Sequence, residues 1–532
     1  MTAIDLLARL ERVANERSGD IALVCGRRDG SGQSLRFAEL YRAALRTVDA
    51  LCGEGVERGH RAVVMTQDPF ELAVVICALL RLGAVPVLID PGLPRADLRA
   101  CLDEVAPEVF IGQPAALLAR RVLGWANGHV RIALATRAGR PLVWARALPI
   151  GRPVAGAVPE APPVVRSPAP DDLAMIAFTS GSTGRPKGVE YHYSTLTGQL
   201  DALEPLLAGS DRGPLLSGFL PFVLFGPALG LTTIAPAVSH RAPARTPPQR
   251  VLRPLLDHRA STVVASPAVL SLLAEHCARR GLVLSSVNRV LSFGAPLHRR
   301  LADLLHRVLR PDAEVLSVYG ATECLPVSAV STARLREGAG GSCVGRPLPG
   351  LSVRVLEADA TGVGEIAVAG PNVSVAYHSR PEATAAAKLA ADCGLLHRTG
   401  DLGRFDEQDR LWFHGRKAHR VTGSDFTLCT EEIEAATGRV PVVRRTALVG
   451  IGPAGQQRAV LCAELEPGRD TGRESRCTAR QLLSEALALV PGGQHVEALL
   501  IHPRFPTDIR HNSKIDRVHL ATWAAQRLGS TS

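Results

Sequence analysis

Between residues 36 and 112 the apolar pattern keeps changing period, and that alternation restricts the possible folds more than any other feature of the chain. Residues 37–51 repeat their apolar side chains at helix spacing, 61–65 form a short strand-like run, and 71–82 have the length and composition of a buried helix. Residues 84–89 are then a β-branched run that stops at Asp90-Pro91-Gly92, a turn signal. Helix and strand in alternation predict a parallel α/β layer. Further strand-like runs at 173–178, 261–265, 289–293 and 314–319 each end in Gly, Ser, Pro or Thr. Loops at the carboxyl ends of such strands are where open α/β sheets bind ligands.

At 532 residues the chain exceeds one ordinary core, so two or more domains are expected. A Pro/Ala-rich stretch at 151–170 reads as a connection and 241–248 as a surface loop. Beyond about residue 420 a smaller α/β pattern begins, with helices near 431–436 and 479–489 and strands at 445–451 and 459–466. Hydrophobic residues at 46% and charged residues at 21% are the balance of a folded protein. The net charge of +10 is spread along the chain without a basic block, which points away from nucleic acid and suits a small anionic substrate. The eleven cysteines form no CxxC pair and sit largely in apolar runs, as in a reducing compartment. The start, MTAIDLLARLERVANER, lacks a signal-peptide core. Apolar runs reach roughly 9 residues against the ~20 of a membrane span. A cytoplasmic protein is expected.

The strongest chemical signal is Thr179-Ser180-Gly181-Ser182-Thr183-Gly184-Arg185-Pro186-Lys187-Gly188, directly after an apolar strand. Gly181 and Gly184 allow backbone N–H groups to turn inward as an anion nest, the hydroxyls add donors, and Lys187 adds a point charge for phosphate. The spacing is not that of a Walker A loop. A flexible Gly/Ser surface loop is the competing reading. Tyr319-Gly320-Ala321-Thr322-Glu323 is a second signal, because a carboxylate there can hold Mg²⁺ and Thr322 can donate to a phosphate oxygen. Thr399-Gly400-Asp401 followed by Gly415-Arg416-Lys417 is a third, with Asp401 able to accept ribose hydroxyls. Lys514, in a Ser-Lys-Ile setting, is the fourth. Taken singly, the last three are ordinary turns and surface charges.

In this order and spacing, the four segments resemble the adenylate-forming superfamily of acyl-CoA synthetases, nonribosomal-peptide adenylation domains and luciferases. The resemblance spans about residues 20–525. It implies an α/β fold with a large N-terminal domain of layered sheets and helices (1–416), a hinge (417–420) and a smaller mobile C-terminal domain (421–532). It further implies that 179–187 grips the pyrophosphate end of ATP, that Gly294-Ala295-Pro296 lines the adenine, and that Tyr319 belongs to the same nucleotide site. Glu323 would hold Mg²⁺, Asp401 would bind the ribose hydroxyls and Arg416 would contact the ribose. Lys514 would reach the carboxylate and α-phosphate, offsetting charge that develops at phosphorus.

Four segments are more particular: Leu220-Pro-Phe-Val-Leu-Phe-Gly-Pro-Ala-Leu-Gly-Leu-Thr232, Gly320-Ala-Thr-Glu-Cys-Leu-Pro-Val327, Arg410-Leu-Trp-Phe-His-Gly-Arg-Lys-Ala-His-Arg-Val421 and Phe505-Pro-Thr-Asp-Ile-Arg-His-Asn-Ser-Lys-Ile515. They look like the β-lactone synthetases of long-chain olefin biosynthesis (OleC-type), which convert a β-hydroxy fatty acid and ATP to a β-lactone, AMP and pyrophosphate. Departures from acyl-CoA ligases agree with this: apolar Val223-Leu224-Phe225 at the acyl gate, Phe293-Gly294 before Ala-Pro, His419 at the hinge and Ser513 before Lys514. On composition alone 220–232 is simply core. By resemblance Phe222, Leu224, Phe225 and Gly320 line an alkyl pocket. His192, His414 and His419 are candidates, by residue type only, for the base that takes the hydroxyl proton. The resemblance also implies association with neighbouring pathway enzymes. Two other readings stand beside this one: a ligase that passes its acyl group to a thiol or amine, and a low-turnover nucleotide-binding scaffold subunit.

Overall fold

The computed structural model describes the chain except for residues 1–5, 27–31, 91, 137–144, 151–166, 180–184, 210, 239–244, 335–340, 467–471, 507–514 and 530–532, together with the side chains of 334 and 473. The alternating segment folds as its periodicity predicts. Helix Phe37–Gly53, strand Arg61–Met65, helix Pro69–Leu82 and strand Val85–Leu88 follow one another. Helix Pro69–Leu82 starts where Asp68 Oδ1 accepts the Phe70 N–H (3.0 Å) beside a proline at its first position, and it ends at Gly83 in the left-handed conformation. All but two of its residues are buried, which explains an apolar run with little amphipathic contrast.

Two large sheets result. In the eight-stranded sheet, Leu173–Phe178, Val85–Leu88, Arg61–Met65, Val109–Gly112 and Ile132–Ala135 lie parallel in that order. In the second sheet, Ile21–Gly26, Thr233–Ala235, Leu215–Ser217, Thr262–Ala265, Arg289–Ser292 and Glu314–Ala321 are likewise parallel neighbours. From Cys324–Ser331 onward that sheet turns antiparallel and takes in Gly394–Phe405 and Leu411–Arg416. The main apolar core lies against helix Pro69–Leu82 and contains helix Phe222–Ala228, all of whose residues are buried. Gly226 lets that helix settle onto the second sheet, since a Cβ there would stand 1.9 Å from Thr233 Oγ1.

Beyond residue 420 the chain forms a three-stranded sheet of Val443–Ile451, Arg458–Leu465 and Val496–Ile501 with helices Thr430–Thr437, Arg473–Ala488 and Arg517–Gly529. Its buried clusters draw only on residues from Val421 onward, while those of the two large sheets stop at Trp412. The eleven cysteines are free thiols. Among the described residues no helix is long and apolar enough to cross a membrane.

Candidate active site

The hydroxyl-rich segment joins two antiparallel strands, Leu173–Phe178 and Gly188–His192, with Phe178 opposite Gly188. Ser180, Gly181, Ser182, Thr183 and Gly184 lie outside the described residues; the base of the loop does not. The Thr179 N–H donates to Lys187 O (2.9 Å) and the Lys187 N–H donates to Thr179 Oγ1 (3.1 Å), closing the loop at its neck. Arg380 braces it from outside. Its guanidinium forks onto Glu104 (2.6 to 3.1 Å) and also donates to Pro186 O (3.2 Å). A hairpin neck held in this way differs from the strand-to-helix turn of a P-loop, as the spacing required.

Tyr377 ties this loop to the second motif. Strand Ala376–Tyr377 pairs with Gly188–His192, placing Tyr377 opposite Val189. Its ring lies 4.7 Å beneath Lys187 Nζ, and its hydroxyl donates to Glu323 Oε1 (2.7 Å). Thr322 and Glu323 form the turn between Glu314–Ala321 and Cys324–Ser331, and Tyr191 Oη donates to Thr322 O. Among the described residues Tyr377 is the hydrogen-bond donor to the half-buried Glu323 carboxylate, which leaves lone pairs for a hard cation.

The third motif lies within a strand. Thr399, Gly400 and Asp401 sit inside Gly394–Phe405, where Gly400 takes a positive φ of 71°. Asp401 pairs in register with Arg416, whose Nε is 2.9 Å from Asp401 Oδ1, and Tyr319 Oη donates to Asp401 Oδ2 (2.8 Å). Thr399 Oγ1 accepts the Asp401 N–H (3.1 Å), and Arg416 Nη1 donates to Thr399 O (3.0 Å). Burial, then the adjacent Asp401 charge, push the Tyr319 phenol well above its ordinary range, so it remains a donor. Gly294 follows the neighbouring strand Arg289–Ser292 at φ 91°, and a Cβ there would meet nothing within 4 Å. Ala295 and Pro296 follow half-buried, so this edge offers open space beside Tyr319's strand.

Behind Glu323 lies a polar layer that sequence reasoning missed. Lys388, 8% exposed, donates to Ser374 O and Ser374 Oγ (3.1 Å), and burial lowers its ammonium pKa to about 8. His397 is paired with Lys388 across the strands, packs edge-on to Tyr377, and is held neutral by burial and the nearby Lys388, Lys187 and Arg416 cations. One signal could have exposed part of this layer. Of only five tyrosines, Tyr191, Tyr319 and Tyr377 aim their hydroxyls at 322, 401 and 323.

Phe222, Leu224 and Phe225 are 4 to 6% exposed and belong to the main core. Phe222 stacks at a tilt on Phe293 (5.5 Å between centroids), the residue before Gly294, so the apolar segment adjoins the edge at Gly294. Gly320 is pressed against the return strand, 2.8 Å from Cys324 O if it carried a Cβ. Among the histidines, His414 is buried and paired with Glu432, while His192 sits at the start of helix Tyr193–Ala208. His419 lies in the turn Lys417–His419, where burial and the Arg517 and Arg416 cations lower its pKa to about 4. Lys514 lies outside the described residues.

Residues 10–378 match the family described as AMP-binding enzyme. The olefin beta-lactone synthetase of Stenotrophomonas maltophilia is 40% identical, over 98% of this chain and 98% of its own length. That of Xanthomonas campestris is 38% identical, over 99% and 98%. Among solved structures, the amide bond synthetase McbA of Marinactinospora thermotolerans superposes with a TM-score of 0.79 at 23% identity, covering 98% of this chain and 99% of its own. ATP-bound MatB of Rhodopseudomonas palustris gives 0.78 at 22%, covering 98% and 99%; at such identities both speak for the fold alone. The chain belongs to the AMP-binding enzymes and, within them, to the family of the olefin beta-lactone synthetases.

Proposed function

We propose that this protein is an AMP-forming ligase that adenylates a 2-alkyl-3-hydroxy fatty acid with ATP and closes the adenylate to a β-lactone. The observation that carries the reading is the full-length identity of 40% to a protein named as an olefin beta-lactone synthetase. The meeting of Lys187, Tyr377 and Glu323 on one side, and of Tyr319, Asp401 and Arg416 on the other, supports the nucleotide half.

In the first step a substrate carboxylate oxygen attacks the α-phosphorus and pyrophosphate leaves. Lys187 and the hydroxyls of 179–183 hold the departing phosphates, and Thr322 donates to the α-phosphate. Glu323 is the residue that fits Mg²⁺, which when bound neutralises phosphate charge. Asp401, oriented by Tyr319 and Arg416, accepts the ribose hydroxyls. Gly294, Ala295 and Pro296 take the adenine. Lys514 balances the charge on phosphorus.

In the second step the β-hydroxyl oxygen attacks the acyl carbon, the bond to AMP breaks, and the hydroxyl proton passes to a base. Ring closure needs no second substrate, so the site has to hold the hydroxyl in an attacking pose and keep water out. The charge-free segment around Phe222, Leu224 and Phe225 suits alkyl branches. Residues 1–416 and 421–532 act as two domains, and a swing about 417–420 gates the two steps.

The test is product analysis with ATP and a 2-alkyl-3-hydroxy acid, with and without coenzyme A. β-Lactone, AMP and pyrophosphate are expected in both reactions. Acyl-CoA without lactone would replace this reading by that of a thioester-forming ligase.

A further inference from the structure

A second set of metal-binding side chains lies where the C-terminal part meets the large sheets, apart from Glu323. His414 belongs to strand Leu411–Arg416. Cys429 precedes helix Thr430–Thr437, and Glu432 lies in its first turn. One ligand atom from each of the three residues lies within 4.8 Å of the others. His414 is 2% exposed, and Cys429 and Glu432 are half-buried. Asp359 is near enough for its charge to raise the Cys429 thiol, and His414 in turn lowers Asp359. The backbone brings these elements close: a Cβ on Gly415 would stand 2.5 Å from Thr430 Oγ1, so only glycine allows this approach.

We propose that His414, Cys429 and Glu432 bind a borderline-soft divalent cation, Zn²⁺ the best match, and that the ion staples the two parts of the chain together across residues 417–420. One imidazole, one thiolate and one carboxylate make a mixed donor set that Zn²⁺ accepts in four-coordinate sites, the fourth position falling to water. Mg²⁺ prefers oxygen donors and keeps its own waters, so the thiolate excludes the cation that accompanies ATP. Metal–ligand bonds of about 2.0–2.3 Å place ligand atoms roughly 3.5 Å apart. The His414–Glu432 hydrogen bond is shorter than that and the 4.8 Å limit longer, so the spacing in the structure brackets the one the ion requires. On binding, the ion displaces the proton that His414 Nδ1 and Glu432 Oε1 share. The Cys429 thiol releases its proton to solvent as the sulfur–metal bond forms. No electron is transferred.

The consequence follows from which side of the turn each ligand occupies. His414 stands before Lys417–His419, and the other two ligands stand after it. Without the ion, polar contacts such as Ser342 Oγ to the buried Glu431 Oε1 (2.6 Å) bridge the two parts. With it, one of those bridges becomes coordination, and the swing proposed above stops. Binding itself does not depend on that proposed swing; only inhibition does.

The experiment uses the full-length, chelator-treated protein titrated with Co²⁺ as a spectroscopic substitute for Zn²⁺. A thiolate-to-cobalt charge-transfer band is expected at one equivalent, erased by Zn²⁺ and untouched by millimolar Mg²⁺. Cys429→Ser should lose the band. His414→Gln should weaken binding by more than the roughly 10–100-fold that follows from losing an outer partner of a ligand. Zn²⁺ should raise the melting temperature of the native protein but not of Cys429→Ser, which separates lost binding from lost folding. In saturating Mg²⁺, Zn²⁺ should suppress pyrophosphate release by the native protein and not by Cys429→Ser. No band in the native protein, or a band that survives Cys429→Ser on one of the exposed thiols Cys52, Cys393 or Cys477, overturns the site. Binding without suppression overturns the staple. Pyrophosphate release reports adenylation whatever the final product, so failure of the lactone reading leaves each of these outcomes legible.

Discussion

The wall around Asp401 and the joint around His419 are both polar, both partly buried and 18 residues apart in sequence, yet they are built on opposite terms. At the wall each charged group has more than one partner inside the same sheet: Asp401 holds Tyr319 and Arg416, and Arg416 also holds Thr399 O. At the joint the partners come from different bodies. Ser342 meets Glu431, His414 meets Glu432, and Arg300 meets Glu466 and Val443 O (3.4 Å). Lys417 remains on the large-sheet side, bound to Glu365 (2.9 Å). Interlocked bonds fix a geometry, whereas single bonds between bodies can be remade elsewhere. The difference is one of construction: the Asp401 wall is interlocked within one sheet, whereas the joint is crossed by separate contacts.

The largest effect should come from breaking the wall. Asp401→Ala strands Arg416, whose side chain is 32% exposed, and the half-buried Tyr319 together; removing one partner of a fully buried pair costs about 3–5 kcal/mol, the upper bound for this one. Thermal unfolding should show a lower midpoint, and pyrophosphate release should vanish. A mutant with native stability would mean that the wall is no more interlocked than the joint. Tyr377→Phe should come next. It removes the donor to Glu323 while preserving the ring under Lys187. Hydrogen bonds to charged groups are worth about 1.5–3 kcal/mol. The loss should therefore appear as a drop of about 10–150-fold in pyrophosphate release per unit Mg²⁺, with stability less affected. An unchanged Mg²⁺ dependence would detach Tyr377 from the cation site.

Much of this wall was legible beforehand, for reasons that differ by residue. Strands 61–65 and 173–178 declared themselves through apolar runs bounded by turn residues, and the structure gives Arg61–Met65 and Leu173–Phe178. Lys187 and Glu323 were visible because their neighbours in sequence are part of the same motif. Tyr377 was not, because its hydroxyl acts on a residue 54 positions away, and Tyr191 acts across 131. Lys388 and His397 were hidden by the opposite problem: a lysine and a histidine in a polar stretch look solvated until a strand pairing buries them. The 220–232 segment was readable as apolar but not as a helix, because two prolines and two glycines mask its period. Lys514 and residues 180–184 lie outside the described residues, so the roles proposed for them rest on the family resemblance.

A subtler probe uses pH at the joint. His419 is held neutral down to about pH 4, whereas an unfolded histidine takes a proton near 6.5. The unfolded state therefore binds more protons between those values, and stability should fall as pH drops through that window. His419→Gln should flatten the melting-temperature profile between pH 6.5 and 4. Because Arg517 and Arg416 both face His419, opening the joint should restore part of its basicity. A profile identical to that of the native protein would show that the turn Lys417–His419 is already solvated.

The smallest effect should be at Arg300, and its smallness is the point. Its side chain is 59% exposed and it reaches Glu466 across the boundary between the bodies. An ion pair so placed gains little in water, because solvent screens it and two long side chains lose freedom to form it; such pairs are worth about 0–1 kcal/mol. A double-mutant cycle of Arg300→Ala and Glu466→Ala should give a coupling energy in that range, declining further as salt is raised. The same cycle on Tyr319→Phe and Arg416→Ala, which share Asp401 inside the wall, should give a larger coupling with little dependence on salt. Equal couplings at the two places would erase the distinction between wall and joint. Unequal ones would mean that the contacts crossing the boundary are weak enough to be exchanged during turnover, while those within the sheet are not.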